Sequence, residues 1–157
     1  MNYQSPSVNY KYNGFTLIEI LIVISVFATL ISFATINFLK PQHSSSISSA
    51  VTTLSADLKQ QQLKAMVGDT EGLGTAQNYG VHIDQNSYTL FRTNPPGDFT
   101  VNLNPSLEFT TYPVDITFAK KSGELVSQNT VSVTVKHIQS NEQKSLSINQ
   151  LGAITIN

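Results

Sequence analysis

The residues able to do chemistry in this chain are few and scattered. His43, His82 and His137 are its only histidines, and none has a Glu or Asp at ligand spacing beside a second His. His82 stands two residues before Asp84, so a strand here puts both on one face as a paired surface His. The chain has no cysteine, which removes thiolate nucleophiles, thiolate ligands and disulfides together. No Gly-x-Ser-x-Gly elbow is present. Asp69 and Glu71 could offer oxygens to calcium, but two acids at that spacing are a fragment of a loop site and read as a solvated turn. The glycines around them form no phosphate cradle. These residues point away from an enzyme, with no catalytic residue, metal or cofactor expected.

Glu19 is the exception. It heads a run from Ile20 to Leu39, about twenty residues without charge, Pro or Gly. Twenty helical residues rise roughly 30 Å, the thickness of a bilayer's hydrocarbon core, so a membrane helix is expected. Ser25, Thr29, Ser32, Thr35 and Asn37 interrupt the run, and such small polar groups can bond back to their own helix. A carboxylate costs about 3 kcal/mol or more at mid-bilayer. Locally, Thr16 and Glu19 spell a Thr-x-x-Glu capping box, and an acid suits the positive end of the helix dipole. A positive charge from another chain is the other partner Glu19 could meet.

Gly14-Phe15-Thr16-Leu17-Ile18-Glu19 followed by an apolar run resembles the class III leader of type IV pilins and type II secretion pseudopilins. The resemblance implies that a prepilin peptidase cuts between Gly14 and Phe15 and methylates the new amino terminus at Phe15. It also implies that Glu19 pairs with the N-terminal ammonium of a neighbouring subunit during assembly. Two charges that are costly alone in lipid become tolerable as a hydrogen-bonded pair. The resemblance places the N-terminus inside and the C-terminal domain outside, in a single-pass inner-membrane protein that then enters a pilus or pseudopilus. The expected partners are the prepilin peptidase, other pilin or pseudopilin subunits, an inner-membrane assembly platform and the lipid bilayer. The competing reading is a secretory signal peptide cut after Ser32-Phe33-Ala34. It needs an apolar core longer than the usual seven to fifteen residues and a more basic start.

Residues 1–14 thus read as a polar leader that is removed, 15–40 as the membrane and filament-core helix, and 41–157 as one exported globular domain. Lys11 is the leader's only basic side chain, fewer than such leaders usually carry. Of nine Lys and Arg, Lys11 and Lys40 precede Pro41, leaving seven; of ten acids only Glu19 does, leaving nine. The domain is therefore slightly acidic, and nucleic acid is an unlikely partner. Lys120, Lys121, Lys136 and Lys144 are the basic residues that could form a DNA-contacting patch.

Pro41 is expected to end or kink the membrane helix. Gln42 to Ser49 reads either as linker or as continued helix. A helical stripe follows in Ile47, Val51, Leu54, Leu58 and Ala65, with Gln61 or Gln62 in the gap, while Asp57, Lys59, Gln60 and Lys64 face away. This predicts an amphipathic helix over about 44–67 with Gly68 as its C-cap. Strands are predicted over 79–83 and 88–91 as a hairpin, then 99–103, 107–111, 114–119, 131–135, 146–148 and 153–156. Asn94 to Asp98, Lys120 to Gly123 and Asn141 to Lys144 read as breaks or turns. One long helix and then a series of short strands means an α+β fold, antiparallel sheet packed on helix.

Tyr79-Gly80-Val81, Ser87-Tyr88-Thr89-Leu90-Phe91 and Gly152-Ala153-Ile154, with Leu58 to Ala65, resemble the minor pseudopilin group GspH/FimT. The function this implies is a structural subunit of a type IV pilus or type II secretion pseudopilus. A DNA-binding minor pilin for uptake and a plain membrane-anchored domain are the alternatives.

Overall fold

The computed structural model describes residues 14–72, 74–93 and 99–157, with the side chains of 34–42 outside the description. The expected leader before Gly14 and the expected break at 94–98 therefore lie outside the described residues. The chain divides into two compact units, one ending at Leu39 and the other running from Lys40 to Asn157.

Helix α1 spans Leu17–Val67 and contributes to both units. Of the two outcomes expected at Pro41, termination does not occur, and the helix runs through it. A proline inside a helix removes one backbone donor, and the flanking hydrogen bonds can carry the helix past it at some cost. The Ser-rich segment after it is helical too, with Ser46 Oγ returning a 2.8 Å bond to the His43 carbonyl. The helix ends at Gly68, whose φ of 66° lets the chain reverse. Gly68 N donates to Ala65 O at 3.1 Å and Asp69 N to Lys64 O at 3.0 Å, the paired bonds of a Schellman cap.

In the second unit the predicted stripe is the inner face. Ile47, Val51, Leu54, Leu58 and Ala65 are all buried, and Gln61 fills the gap. Asp57 departs from prediction, being half-buried and bonded to Tyr88 instead of facing away.

Eight strands follow among the described residues: β1 Tyr79–Ile83, β2 Ser87–Arg92, β3 Phe99–Asn102, β4 Leu107–Phe109, β5 Val114–Phe118, β6 Val131–His137, β7 Gln143–Ile148 and β8 Ile154–Ile156. They form two antiparallel sheets, ordered β3-β2-β1-β5 and β4-β6-β7-β8, rather than one. Predicted strands over 107–111 and 114–119 look sequential, yet β4 joins β6 while β5 joins β1. The chain changes sheets at the turn containing Pro113, where a missing amide donor would interrupt a ladder. β7 also starts earlier than predicted, inside the segment read as a turn, because Gln143 and Lys144 pair with Lys136 and Val135.

The inner faces of both sheets meet the helix stripe in one core. Val81, Ile83, Tyr88, Ile116 and Phe118 come from the first sheet, and Leu107, Phe109, Val133, Val135, Leu146 and Ile148 from the second. The turn of the β1–β2 hairpin ties the sheets together, because Gln85 O accepts from Phe109 N of β4 at 2.8 Å.

Candidate processing and assembly segment

Gly14, Phe15 and Thr16 precede α1, so the predicted scissile bond lies outside the helix. Nothing lies within 4 Å of where a Gly14 side chain would begin, and Phe15 is 81% exposed. An uncovered peptide bond outside regular structure is what a processing enzyme can engage.

Thr16 and Glu19 hold the helix start. Glu19 N donates to Thr16 Oγ1 at 3.3 Å, and Thr16 N to Glu19 Oε2 at 3.4 Å. This is the reciprocal pattern of a capping box, satisfying two donors that the first turn would leave open. The bonds are long and exposed, which leaves carboxylate lone pairs for a further donor.

Behind the cap the helix is apolar on every side. Every described side chain from Leu17 to Phe33 is exposed within this chain, with Leu17 at 83% and Phe33 at 74%. Exposed apolar side chains on every side of a helix need cover from lipid or from another chain. Ser25 Oγ bonds Leu21 O at 2.7 Å and Thr29 Oγ1 bonds Val26 O at 2.8 Å, so these hydroxyls present little unmet polarity. Among the described residues no helix is long and apolar enough to cross a membrane. The described apolar side chains, Leu17 to Phe33, cover about 25 Å of helix. The rest of the predicted run, to Leu39, falls where side chains are not described.

In the second unit, His82 is paired as expected, but its nearer partner is Asp115. Nδ1 lies 2.6 Å from Asp115 Oδ1, and Nε2 lies 3.4 Å from Asp84 Oδ1. The Asp115 hydrogen bond, opposed by some desolvation, holds the imidazole pKa above its ordinary value. His43 and His137 also meet, with stacked rings 4.2 Å apart, and Ser140 N donates to His137 Nδ1 at 3.2 Å. Glu71 binds cationic side chains: Lys64 Nζ at 2.7 Å and, closely, Arg92 Nη1. Asp69 Oδ1 accepts from Glu71 N at 2.9 Å, capping the loop. No three-residue metal cluster occurs among the described residues.

The four candidate lysines do not converge. Lys121 N bonds Ala65 O near the end of α1, and Lys120 neighbours it. Lys144 Nζ instead reaches Ser48 Oγ at 3.2 Å, about 25 Å back along the helix. Lys136 pairs with Glu108 at 3.6 Å. It also lies on the opposite face of β6 from Val135, which pairs with Lys144.

A helix followed by antiparallel sheets is consistent with a pilin-like fold. Residues 9–35 match the family model described as the prokaryotic N-terminal methylation motif. The match covers the predicted cleavage bond, Glu19 and most of the apolar run, and it supports a place in the pilin and pseudopilin superfamily. It likewise supports processing by a prepilin peptidase and assembly with other pilins. No curated protein and no solved structure shows significant similarity to the chain.

Tyr88, Asp115 and Arg92 carry much of the polar structure, and sequence reasoning does not single them out as sites. Period-two parity marks His82 and Asp115 as surface residues of their strands, but only the strand register makes them neighbours.

Proposed function

We propose that this chain is a minor pilin or pseudopilin of the GspH/FimT kind, a structural subunit with no catalytic activity of its own. It is made as a precursor in the inner membrane with its N-terminus inside and its C-terminal domain outside. A prepilin peptidase cuts between Gly14 and Phe15 and methylates Phe15. The helix from Phe15 to Leu39 spans the bilayer and then packs against other subunits in a pilus or secretion pseudopilus.

The match of residues 9–35 to the N-terminal methylation motif carries this reading. Two physical features support it. The described apolar side chains of this helix are exposed, so lipid and then neighbouring helices are their natural cover. Glu19 is capped loosely by Thr16 and retains acceptor capacity for a neighbour's N-terminal ammonium. That pairing sets axial register and penalises wrong partners, because misplacement would strand a charge in an apolar environment.

The test is intact mass and N-terminal sequencing of the protein recovered from native membranes. A chain beginning at N-methylated Phe15 is the expected result. A chain beginning at Thr35 would establish signal-peptide cleavage and remove the filament helix. An uncut chain in cells containing the peptidase would make it an ordinary anchored domain.

A further inference from the structure

A polar cleft of about 270 Å³ lies between α1 and the edge of the first sheet. Asp57, Gln61 and Lys64 line it from the helix, Glu71 from the loop after the helix, Arg92 from β2 and Phe99 from β3. Gln61 is only 4% exposed, yet its side-chain amide has no hydrogen-bond partner among the described residues. Among the described residues no fully enclosed polar side-chain atom lacks a partner, so the Gln61 amide keeps contact with open space, and the space it borders is this cleft. A nearly buried amide with no protein partner is costly to keep unless something in the cleft bonds to it. Leucine of similar size would suit a purely structural stripe position.

The charged groups around Gln61 are occupied. Lys64 Nζ holds Glu71 at 2.7 Å and sits 5.5 Å from the Tyr79 ring centroid. Arg92 closes on the other Glu71 oxygen, and Asp57 accepts from Tyr88 at 2.5 Å. Two cations and two carboxylates cancel, so the cleft selects against an ionic ligand. What remains is an amide offering both donor and acceptor, free lone pairs on Asp57, and the exposed ring of Phe99 at the rim, 65% exposed. Hydroxyl groups both donate and accept, and a pyranose adds an apolar C–H face suited to an aromatic ring. β2 lies between β1 and β3, so its own backbone is already paired.

We propose that this cleft binds a neutral saccharide unit, read by the Gln61 amide and the Asp57 carboxylate and covered on one side by Phe99. The size is near the lower end of small-ligand sites, which fits one sugar ring of a longer glycan.

The test is an NMR titration of the full chain, ¹⁵N-labelled, in a detergent without sugar headgroups, using tri-N-acetylchitotriose as probe. Saturable shifts of the Gln61 side-chain amide and of Lys64 and Phe99 are expected. Gln61→Leu should weaken binding at least ten-fold while keeping the β-sheet resonances and the unliganded stability. Phe99→Ala, a change at an exposed ring, should weaken it several-fold. Absence of saturable shifts, or undiminished binding by Gln61→Leu, would overturn the proposal. So would loss of stability in unliganded Gln61→Leu, which would make the amide structural. A response to the uncharged peptide Gly-Gln-Gly without one to the saccharide would assign the cleft to peptide instead.

Discussion

Tyr88 on β2 donates its phenolic hydrogen to Asp57 Oδ2 on α1 at 2.5 Å. Tyr88 is 1% exposed, so its hydroxyl needs an acceptor, and a half-buried carboxylate is a strong one. Burial first, then the hydrogen bond and charge of Asp57, push the Tyr88 pKa above its ordinary 10. We expect Tyr88→Phe to cost about 1–3 kcal/mol, read as a lower urea midpoint with unchanged slope. The sign with pH follows from the raised pKa. The native state holds the proton more tightly than the unfolded state, so this contribution is complete below about pH 10 and is lost as pH rises further. The wild type should lose stability above pH 10 more steeply than Tyr88→Phe. An unchanged midpoint in the variant would show that water serves the carboxylate equally well.

At the N-terminus, Gly14→Val should leave a full-length precursor, detected by mass. Gly14 has open space around it, so the larger residue does not disturb the chain's own packing and acts through the enzyme that must fit it. Processing at the normal bond would refute the peptidase assignment.

Glu19→Ala and Glu19→Val should insert and be cut, but assemble poorly. Either change loses the reciprocal bonds to Thr16, a matter of about 1 kcal/mol for one helix end. The larger effect is loss of the partner for an incoming N-terminal ammonium. Filament yield by electron microscopy, normalised to processed subunit, separates the two effects. Normal assembly of both mutants would leave Glu19 as a cap alone.

His82 should titrate above the ordinary histidine value of 6.5, by NMR of its ring protons. Asp115→Asn should lower its midpoint more than Asp84→Asn, because the Asp115 bond is the leading cause. The folded pKa is raised, so the pair's contribution is complete below about pH 6.5 and fades as pH rises through the folded value. Both partners are exposed, so the effect on stability is small, and the titration is the informative readout. Equal effects of the two substitutions would contradict the geometry.

Gly152 has a φ of 79°, and an added Cβ would meet Gln62 Nε2 at 2.1 Å and Gly123 O at 2.8 Å. Gln62 Nε2 bonds Gly123 O at 3.1 Å and Leu151 O at 3.2 Å, joining α1 to two loops. Gly152→Ala should therefore destabilise by about 2 kcal/mol or more, combining backbone strain with displaced hydrogen bonds. Combining it with Gln62→Ala should cost less than the sum of the single changes, since the clash is then relieved. Additivity in the denaturation midpoints would show that Gln62 is not the group displaced.

The helix stripe was legible in sequence because its period is local: Ile47, Val51, Leu54 and Leu58 bury together once the backbone is helical. Strand positions were mostly legible for the same reason, as in Val131 to Val135, whose inward residues Val133 and Val135 are buried. Partner choice was not. β4 and β5 are close in sequence yet belong to different sheets, and nothing in their alternation encodes that. Asp57 looked like an outward-facing acid because helical period alone cannot show a tyrosine arriving from β2.

By itself the sequence determined the processing motif, the apolar run and the α+β class. A peptidase reads a short linear segment, lipid responds to a continuous run of side chains, and helix and strand periods arise within a few residues. Tertiary structure alone decided the split into two sheets, the pairing of His82 with Asp115, and the burial of Gln61 beside an open cleft. Each depends on register between segments far apart in the chain, set by which apolar faces bury together and not by local preference.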